Sequence, residues 1–510
     1  LLSVSDKSGL LDLGRGLAEL GVELVASGGT ATALREAGLE VMDVSDLTRS
    51  PEMLGGRVKT LHPKVHGGIL ARRDLEEDRL DLEANGIGTI DLVVVNLYPF
   101  EETVAKPGTR YEEAIEKIDI GGPSMLRSAA KNHAYVGVLS NPSDYPAVLS
   151  ELQQTGGLST ATRRRLALQA FRSSASYDVA IQNWLTEKVE DSQEDPFPEK
   201  WLVGMPKVAV LRYGENPHQG AALYGRFLDA VEQLHGKELS YNNLIDVQAA
   251  LALIADFDAE RGAAVGILKH NTPCGVGVGD SPGIAYRRAF ETDPDSPFGG
   301  IIVSNRPFDL TLAREVDQIF TEVLVAPAFD PDALELLRAK KNRRLLTFDA
   351  ARIDCEEPEV RRVYGGILVQ QSDASVDELA GAKVVTRVQP TQEQRVGLEF
   401  AWRVVKHVKS NAIVFAGSDR TLGVGGGATS RIDAVHNAVS KAGRVGLSLT
   451  GSVLASDAFF PFPDGLEAAV EAGASAVIQP GGSTRDELVI EAADRLGVPM
   501  IFTGARHFRH

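Results

Sequence analysis

A lysine and a histidine stand side by side in the run Gly266-Ile267-Leu268-Lys269-His270-Asn271-Thr272-Pro273-Cys274-Gly275. The residues before them, Ala263 to Leu268, are apolar and include Val and Ile, so they read as a buried strand. The residues after them cannot prolong a central strand, because proline lacks a ladder donor and glycine favours a turn. A permanent cation and an imidazole that titrates near neutrality therefore leave the end of a strand together. Open α/β sheets place their chemistry at such ends. Taken alone, the pair reads equally well as an exposed surface dipeptide.

The first 200 residues hold a second set of reactive side chains. Ser27-Gly28-Gly29-Thr30 lies between an apolar run and a helical one. Glycines there permit close backbone approach, hydroxyls donate, and a helix amino terminus favours an anion. The spacing is neither a Walker loop nor a dinucleotide fingerprint. A simple tight turn is the alternative, and Lys7, Arg57 and Lys59 favour a phosphate. Gly55 to Gly68 is dense in glycine and cations (Arg57, Lys59, His62, Lys64, His66), as an anion site requires. Tyr98, beside Pro99, offers a phenol at a strand end, where a packed core tyrosine is the ordinary alternative. Asp119 is isolated between Ile118 and Ile120 before a glycine turn. Desolvation there would raise its pKa and suit proton transfer. Lys131 closes the next helix, where a cation also simply complements the helix dipole.

In the second half, Leu211-Arg212-Tyr213-Gly214-Glu215-Asn216-Pro217-His218-Gln219 is richer in side-chain function than a connector needs. Ser296-Pro297-Phe298-Gly299-Gly300 precedes a strand and would bring backbone amides near a ligand. Asn411, in Lys409-Ser410-Asn411, also reads as a helix-ending asparagine. Gly423 to Arg431 is a second glycine-rich turn, a weak signal alone, and Arg506 to His510 is a basic cluster.

The elements that must position these groups alternate between strand and helix. Strands are predicted at Leu1 to Ser5, Val22 to Ala26, Asp91 to Leu97 and Ala134 to Leu139, with a helix over Lys7 to Leu20. Further strands fall near 263–268, 299–303, 411–416 and 474–478. On Leu398 to Ser410 the stripe Leu398, Ala401, Trp402, Val405 and Val408 marks a helix facing the core. Such alternation predicts doubly wound parallel α/β architecture. The polar, proline-bearing run Asp191 to Lys200 reads as an interdomain linker, giving domains 1–195 and 201–510. The polar stretch 339–360 is expected to join two subdomains of the second, with the junction near 339–385. No short-period repeat is visible.

Bulk properties exclude several classes. The 510 residues are too many for one core, and 43% hydrophobic with 24% charged is ordinary for a globular protein. A net charge of −17 disfavours nucleic acid as a partner. No apolar run approaches the ~18 residues of a membrane span. Asp6 and Lys7 interrupt any signal-peptide pattern, and two cysteines suit a reducing cytoplasm. A nucleobase-deaminase zinc site needs Pro-Cys-x-x-Cys with His-x-Glu. Here Gly277 and Thr272 stand where ligand and acid should be, so that reading fails on ligand count.

Taken together, these segments closely resemble the bifunctional family joining aminoimidazole carboxamide ribonucleotide (AICAR) formyltransferase to IMP cyclohydrolase. The resemblance runs from Ser3-Val4-Ser5-Asp6-Lys7 to Arg506-His507-Phe508-Arg509-His510. It implies a methylglyoxal-synthase-like first domain, then two cytidine-deaminase-like α/β subdomains that dimerise to complete their sites. By resemblance, Ser3, Ser5, Lys7, Ser27, Gly29, Thr30, Arg57 and Thr60 would hold a ribonucleotide phosphate. Lys59, Tyr98, Asp119 and Lys131 match positions proposed for ring closure. Arg212, Tyr213, Lys269, His270, Gly299, Asn411, Phe459 and Arg506 match nucleotide-site positions of the transferase. Asp464 lies in a segment like the family's folate-proximal loop. The resemblance further implies 10-formyltetrahydrofolate as cosubstrate, AICAR, formyl-AICAR and IMP as ligands, a cytoplasmic homodimer and no catalytic metal, and it allows a structural potassium ion.

The chemistry suits these residue types. The conjugated arylamine of AICAR is a poor nucleophile and needs a positioned base, for which His270 is chosen. Lys269 would stabilise the tetrahedral oxyanion, with Asn411 orienting the substrate. In the intramolecular second step, Lys59 would stabilise oxygen charge while Asp119, Tyr98 and Lys131 shuttle protons. Two departures stand out. The family commonly has glutamine where this chain has Ala428, which puts side-chain contacts from that turn in doubt. The chain also opens directly at its first strand, which we read as missing leading residues rather than lost function.

Overall fold

A computed structural model describes residues 1–189, 195–353, 356–374 and 378–510. Residues 191–194 of the predicted linker, and Cys355, lie outside these. Leu1–Met205 form one compact unit and Pro206–His510 a second.

The first unit is built on five parallel strands: β1 (Leu2–Val4), β2 (Val25–Ala26), β3 (Met42–Asp43), β4 (Leu92–Asn96) and β5 (Gly137–Leu139). Their order is β3-β2-β1-β4-β5, so the chain reverses its winding between β1 and β4. Val93, Val94 and Val95 are essentially inaccessible, as expected of a strand covered on both faces. The first helix spans Leu10–Glu19 and buries Leu10, Leu13 and Leu17. It starts three residues later than predicted, because Asp6 Oδ1 accepts from the Ser8 amide and Gly9 turns the chain with φ 67°. The carboxyl ends of β1, β2 and β4 carry Ser5 to Lys7, Ser27 to Thr30 and Tyr98 to one edge of the sheet.

The second unit opens with a ribbon of β6 (Lys207–Leu211) and β7 (Ala221–Tyr224). A six-stranded sheet follows, made of β8 (Val231–His235), β9 (Ala263–Lys269), β10 (Thr272–Gly279), β11 (Ile301–Ser304), β12 (Val323–Ala326) and β13 (Arg344–Phe348). An exposed hairpin, β14 (Glu359–Val363) and β15 (Gly366–Gln370), precedes a second six-stranded sheet. That sheet comprises β16 (Lys383–Val384), β17 (Ile413–Ala416), β18 (Thr421–Gly425), β19 (Val453–Ser456), β20 (Ala476–Gln479) and β21 (Met500–Phe502).

The two sheets have one topology. Their orders, β10-β9-β11-β12-β13-β8 and β18-β17-β19-β20-β21-β16, correspond strand for strand, with the same parallel and antiparallel pairings. One apolar core joins residues of both halves, including the helices Tyr241–Ala255 and Gln392–Val405. The predicted stripe Leu398, Ala401, Trp402, Val405 and Val408 lies in that core. Further helices cover the outer faces in separate cores.

One expectation is met and one needs correction. Thr272-Pro273-Cys274-Gly275 does not prolong β9, as expected, but forms the separate edge strand β10, whose register shifts between Pro273 and Gly275. An edge position and a bulge are where proline is tolerated. Residues 344–348, inside the stretch expected to join the subdomains, form the interior strand β13 instead. Their side chains are largely buried, and their polarity comes from Arg344, which pairs with Glu322.

Candidate active sites

In the first unit, the end of β4 fixes the loop after β1. Asn96 Oδ1 accepts from the amides of Ser5 (2.6 Å) and Asp6 (2.9 Å), and its Nδ2 donates to Asp6 O (2.8 Å). That loop carries Lys7. Ser27 is extended and Gly28, at φ 53°, turns the chain into the helix Gly28–Glu36. A Cβ placed on Gly28 would lie 3.2 Å from Lys59 Nζ, and one on Gly29 would lie 3.6 Å from Lys7 Nζ. Two ammonium groups thus converge on one helix amino terminus, an arrangement suited to a phosphate.

Not every predicted phosphate ligand is free. The buried Thr30 hydroxyl accepts from Val4 N (3.0 Å) and donates to Val4 O (3.2 Å), so it locks the helix to β1. Arg57 is ion-paired with Glu116. Ser3 is half-buried within β1, and Thr60 is buried against Gly121.

Asp119 sits just before the helix Gly121–Lys131. Its Oδ1 accepts from Gly122 N at 2.9 Å, and its amide donates to the Tyr177 hydroxyl at 2.8 Å. Burial pushes its carboxyl above the ordinary carboxylate range, opposed by the Gly122 and Gly121 amides and by the charge of Lys59. Lys59 therefore faces both the phosphate cradle and the carboxyl. Tyr98 is half exposed and open to a ligand rather than packed in the core. Lys131 is different. It ends the 11-residue helix that starts two residues after Asp119, roughly 15 Å away along the axis, so the structure does not bring the two together.

In the second unit, Lys269 and Thr272 pair across a two-residue turn made of His270 (φ 51°) and Asn271 (φ 64°). Two successive left-handed residues are what the tightest hairpin turns require, and histidine and asparagine are among the side chains that tolerate them. Lys269 Nζ donates to Phe298 O at 3.0 Å. Gly299 follows at φ 72°, and the exposed rings of Phe298 and Phe320 stand 5.4 Å apart. His270 faces solvent.

Asn411 is held at both ends of its amide. Its Oδ1 accepts from Arg431 (2.8 Å), while its Nδ2 and backbone N donate to Ala428 O (3.0 and 3.1 Å). The turn thus acts on Asn411 through the backbone carbonyl of Ala428, which a change of side chain leaves in place. Arg431 is buried and paired with the inaccessible Asp457, which also accepts from Ser410 Oγ. Arg212 lies over the Tyr213 ring and Arg506 over Phe508. Asp464 accepts from Gly465 N at 2.7 Å, and Phe459 is half-buried. No hydrogen bond or ion pair among the described residues joins these four to Lys269 or His270.

Sequence reasoning missed Asp246, which accepts from Asn271 N at 2.7 Å. It is the only charged residue in Tyr241–Ala255, a signal that was available. It also missed Glu322, whose carboxylate takes Asn243 and Arg344. Among the described residues, no group of three or more His, Cys, Asp or Glu side chains is placed to hold a metal ion. Burial pushes the Cys274 thiol up to about 11.

One α/β unit thus brings two ammonium groups to a helix amino terminus beside a raised carboxyl, and the other presents a cation and an imidazole at one turn. Residues 9–124 match the family model described as MGS-like domain, and residues 129–441 match that of the AICARFT/IMPCHase bienzyme. The chain is 52% identical to the bifunctional purine biosynthesis protein PurH of Chloroflexus aurantiacus, covering 100% of this chain and 98% of that one. It is 50% identical to the PurH protein of Persephonella marina, covering 100% and 99%. A solved structure titled "Crystal structure of ForH" matches 36% of this chain and 96% of its own at 44% identity, with a TM-score of 0.32. The chain belongs to the AICARFT/IMPCHase bienzyme family. It is a bifunctional enzyme of purine biosynthesis, an AICAR formyltransferase and an IMP cyclohydrolase.

Proposed function

We propose that residues 201–510 transfer the formyl group of 10-formyltetrahydrofolate to AICAR and that residues 1–195 close the ring. His270 takes the proton as the AICAR amine attacks the formyl carbon. Lys269 stabilises the resulting oxyanion, and Asn411, its amide already oriented by Arg431 and Ala428, fixes the substrate. Collapse of the adduct breaks the bond from the formyl carbon to the folate nitrogen, which takes the proton back from His270, and releases tetrahydrofolate and formyl-AICAR. The carboxamide nitrogen then attacks the formyl carbon and its proton passes to the formyl oxygen, whose developing charge Lys59 stabilises. Asp119 protonates the resulting hydroxyl, the C–O bond breaks to release water, and the formamide nitrogen gives its proton back to Asp119 as the C=N bond forms. Lys7, Ser5, Ser27 and Gly29 hold the phosphate during closure, and Tyr98 lies open to the ring. Lys131, a helix length from Asp119, is given no step.

The observation that carries this reading is the left-handed His270–Asn271 turn, which projects an imidazole and a tethered ammonium from one strand end. The exposed hairpin β14–β15, with Val360, Tyr364 and Leu368 open to solvent, supports a homodimer. Among the described residues no helix is long and apolar enough to cross a membrane. Asp457, the most deeply buried carboxylate among the described residues, is paired with Arg431. A substitution at Lys269 tests the oxyanion role. Lys269→Gln should lower kcat for formyl transfer about 10²–10³-fold with little change in KM. An unchanged kcat would remove Lys269 from the reaction.

A further inference from the structure

The turn bearing His270 is held from outside the hairpin. Left-handed backbone at two consecutive non-glycine residues is strained, and such strain persists only where surrounding structure over-determines it. Asp246, on the separate helix Tyr241–Ala255, supplies the constraint by accepting the Asn271 N–H at 2.7 Å. Asn271 Oδ1 is buried with no hydrogen-bond partner, so this backbone contact is the polar tie that fixes the residue.

The surroundings show that Asp246 faces the site. Burial raises its carboxyl above the ordinary range, the Asn271 amide, His270 and Lys409 oppose that rise, and Glu322 adds to it. Glu322 is itself bound by Asn243 and Arg344. The half-buried carboxylate that accepts from Asn271 thus also feels the charges of the imidazole, an ammonium and a second carboxylate.

We propose that Asp246 is a positioning residue for formyl transfer, anchoring the left-handed turn through Asn271 so that His270 meets the substrate amine. This rests on the reading of His270 as the base. Misplacing a reacting group by about 1 Å can cost about 10²-fold in rate.

The test compares Asp246→Ala, Asp246→Asn and His270→Ala in both half-reactions, with cyclisation of supplied formyl-AICAR as the control for folding. Asp246→Ala should lose about ten-fold or more in kcat for formyl transfer, keep its KM for AICAR and keep cyclisation. Asp246→Asn retains an acceptor for Asn271 and should restore most of kcat. Having lost the charge, it should also move the acidic limb of the pH–rate profile to lower pH. The inference is overturned if Asp246→Ala keeps wild-type kcat. It is equally overturned if Asp246→Asn is as impaired as Asp246→Ala with an unmoved pH profile. If Asp246→Ala does not fold, the kcat and pH profile of Asp246→Asn decide alone. Formyl transfer retained by His270→Ala would instead overturn the parent reading.

Discussion

Asp119 combines an elevated carboxyl with contacts that only partly offset its burial. A carboxylate whose folded pKa exceeds its unfolded value binds more protons when folded, so its contribution to stability falls as pH rises through that window. Asp119→Asn, which keeps an acceptor for Gly122 N, should therefore match or exceed the wild-type Tm at neutral pH. It should still lose cyclisation by about 10²-fold or more. A lowered neutral-pH Tm in thermal melts would contradict the sign. The burial of Asp119 was legible only in part: Ile118 packs against an apolar cluster as its neighbour's burial requires, whereas Ile120 is exposed. The Thr30 hydroxyl was not, since the sequence cannot show that Val4 takes both its hydrogen bonds.

At the scale of elements, two turns set the geometry. Asn271 tolerates the left-handed region, whereas a β-branched side chain there costs about 1–2 kcal/mol. Asn271→Val should reduce stability by that amount in denaturant titrations and impair formyl transfer, while Asn271→Gly should be mild. Equal behaviour of the two variants would show that backbone conformation is not the determinant. Gly122 is the matching case in the first unit, where a Cβ would overlap Asp119 Oδ2. Gly122→Ala should lower cyclisation and leave formyl transfer unchanged. The strand β9 and its reactive end were readable from apolar pattern and composition. The return strand β10 was not, because proline tolerance depends on which strand becomes an edge.

At the scale of the second unit, two sheets of one topology share a core without any short-period repeat in sequence, since pairing order leaves no trace in residue spacing. A buried charge cluster spans them. Asp256, next to the helix Tyr241–Ala255, takes Lys406 (2.9 Å) and His407 (2.6 Å) from the end of the helix Gln392–Val405. Burial alone would raise Asp256, but His407 and Lys406 outweigh it and hold its carboxyl below the ordinary range. Removing one partner of a buried pair strands the other charge, so Asp256→Ala should cost about 3–5 kcal/mol. Calorimetry that finds this unit unaltered would show that the cluster does not bind its halves.

Formyl transfer and ring closure by this mechanism need two chemically independent sites on one chain. The direct measurement supplies AICAR with 10-formyltetrahydrofolate, and separately formyl-AICAR, to folded His270→Ala and Asp119→Ala proteins. His270→Ala should fail to formylate yet convert formyl-AICAR to IMP, and Asp119→Ala should formylate yet accumulate the intermediate. Loss of both reactions in either folded variant would contradict the assignment of the two sites.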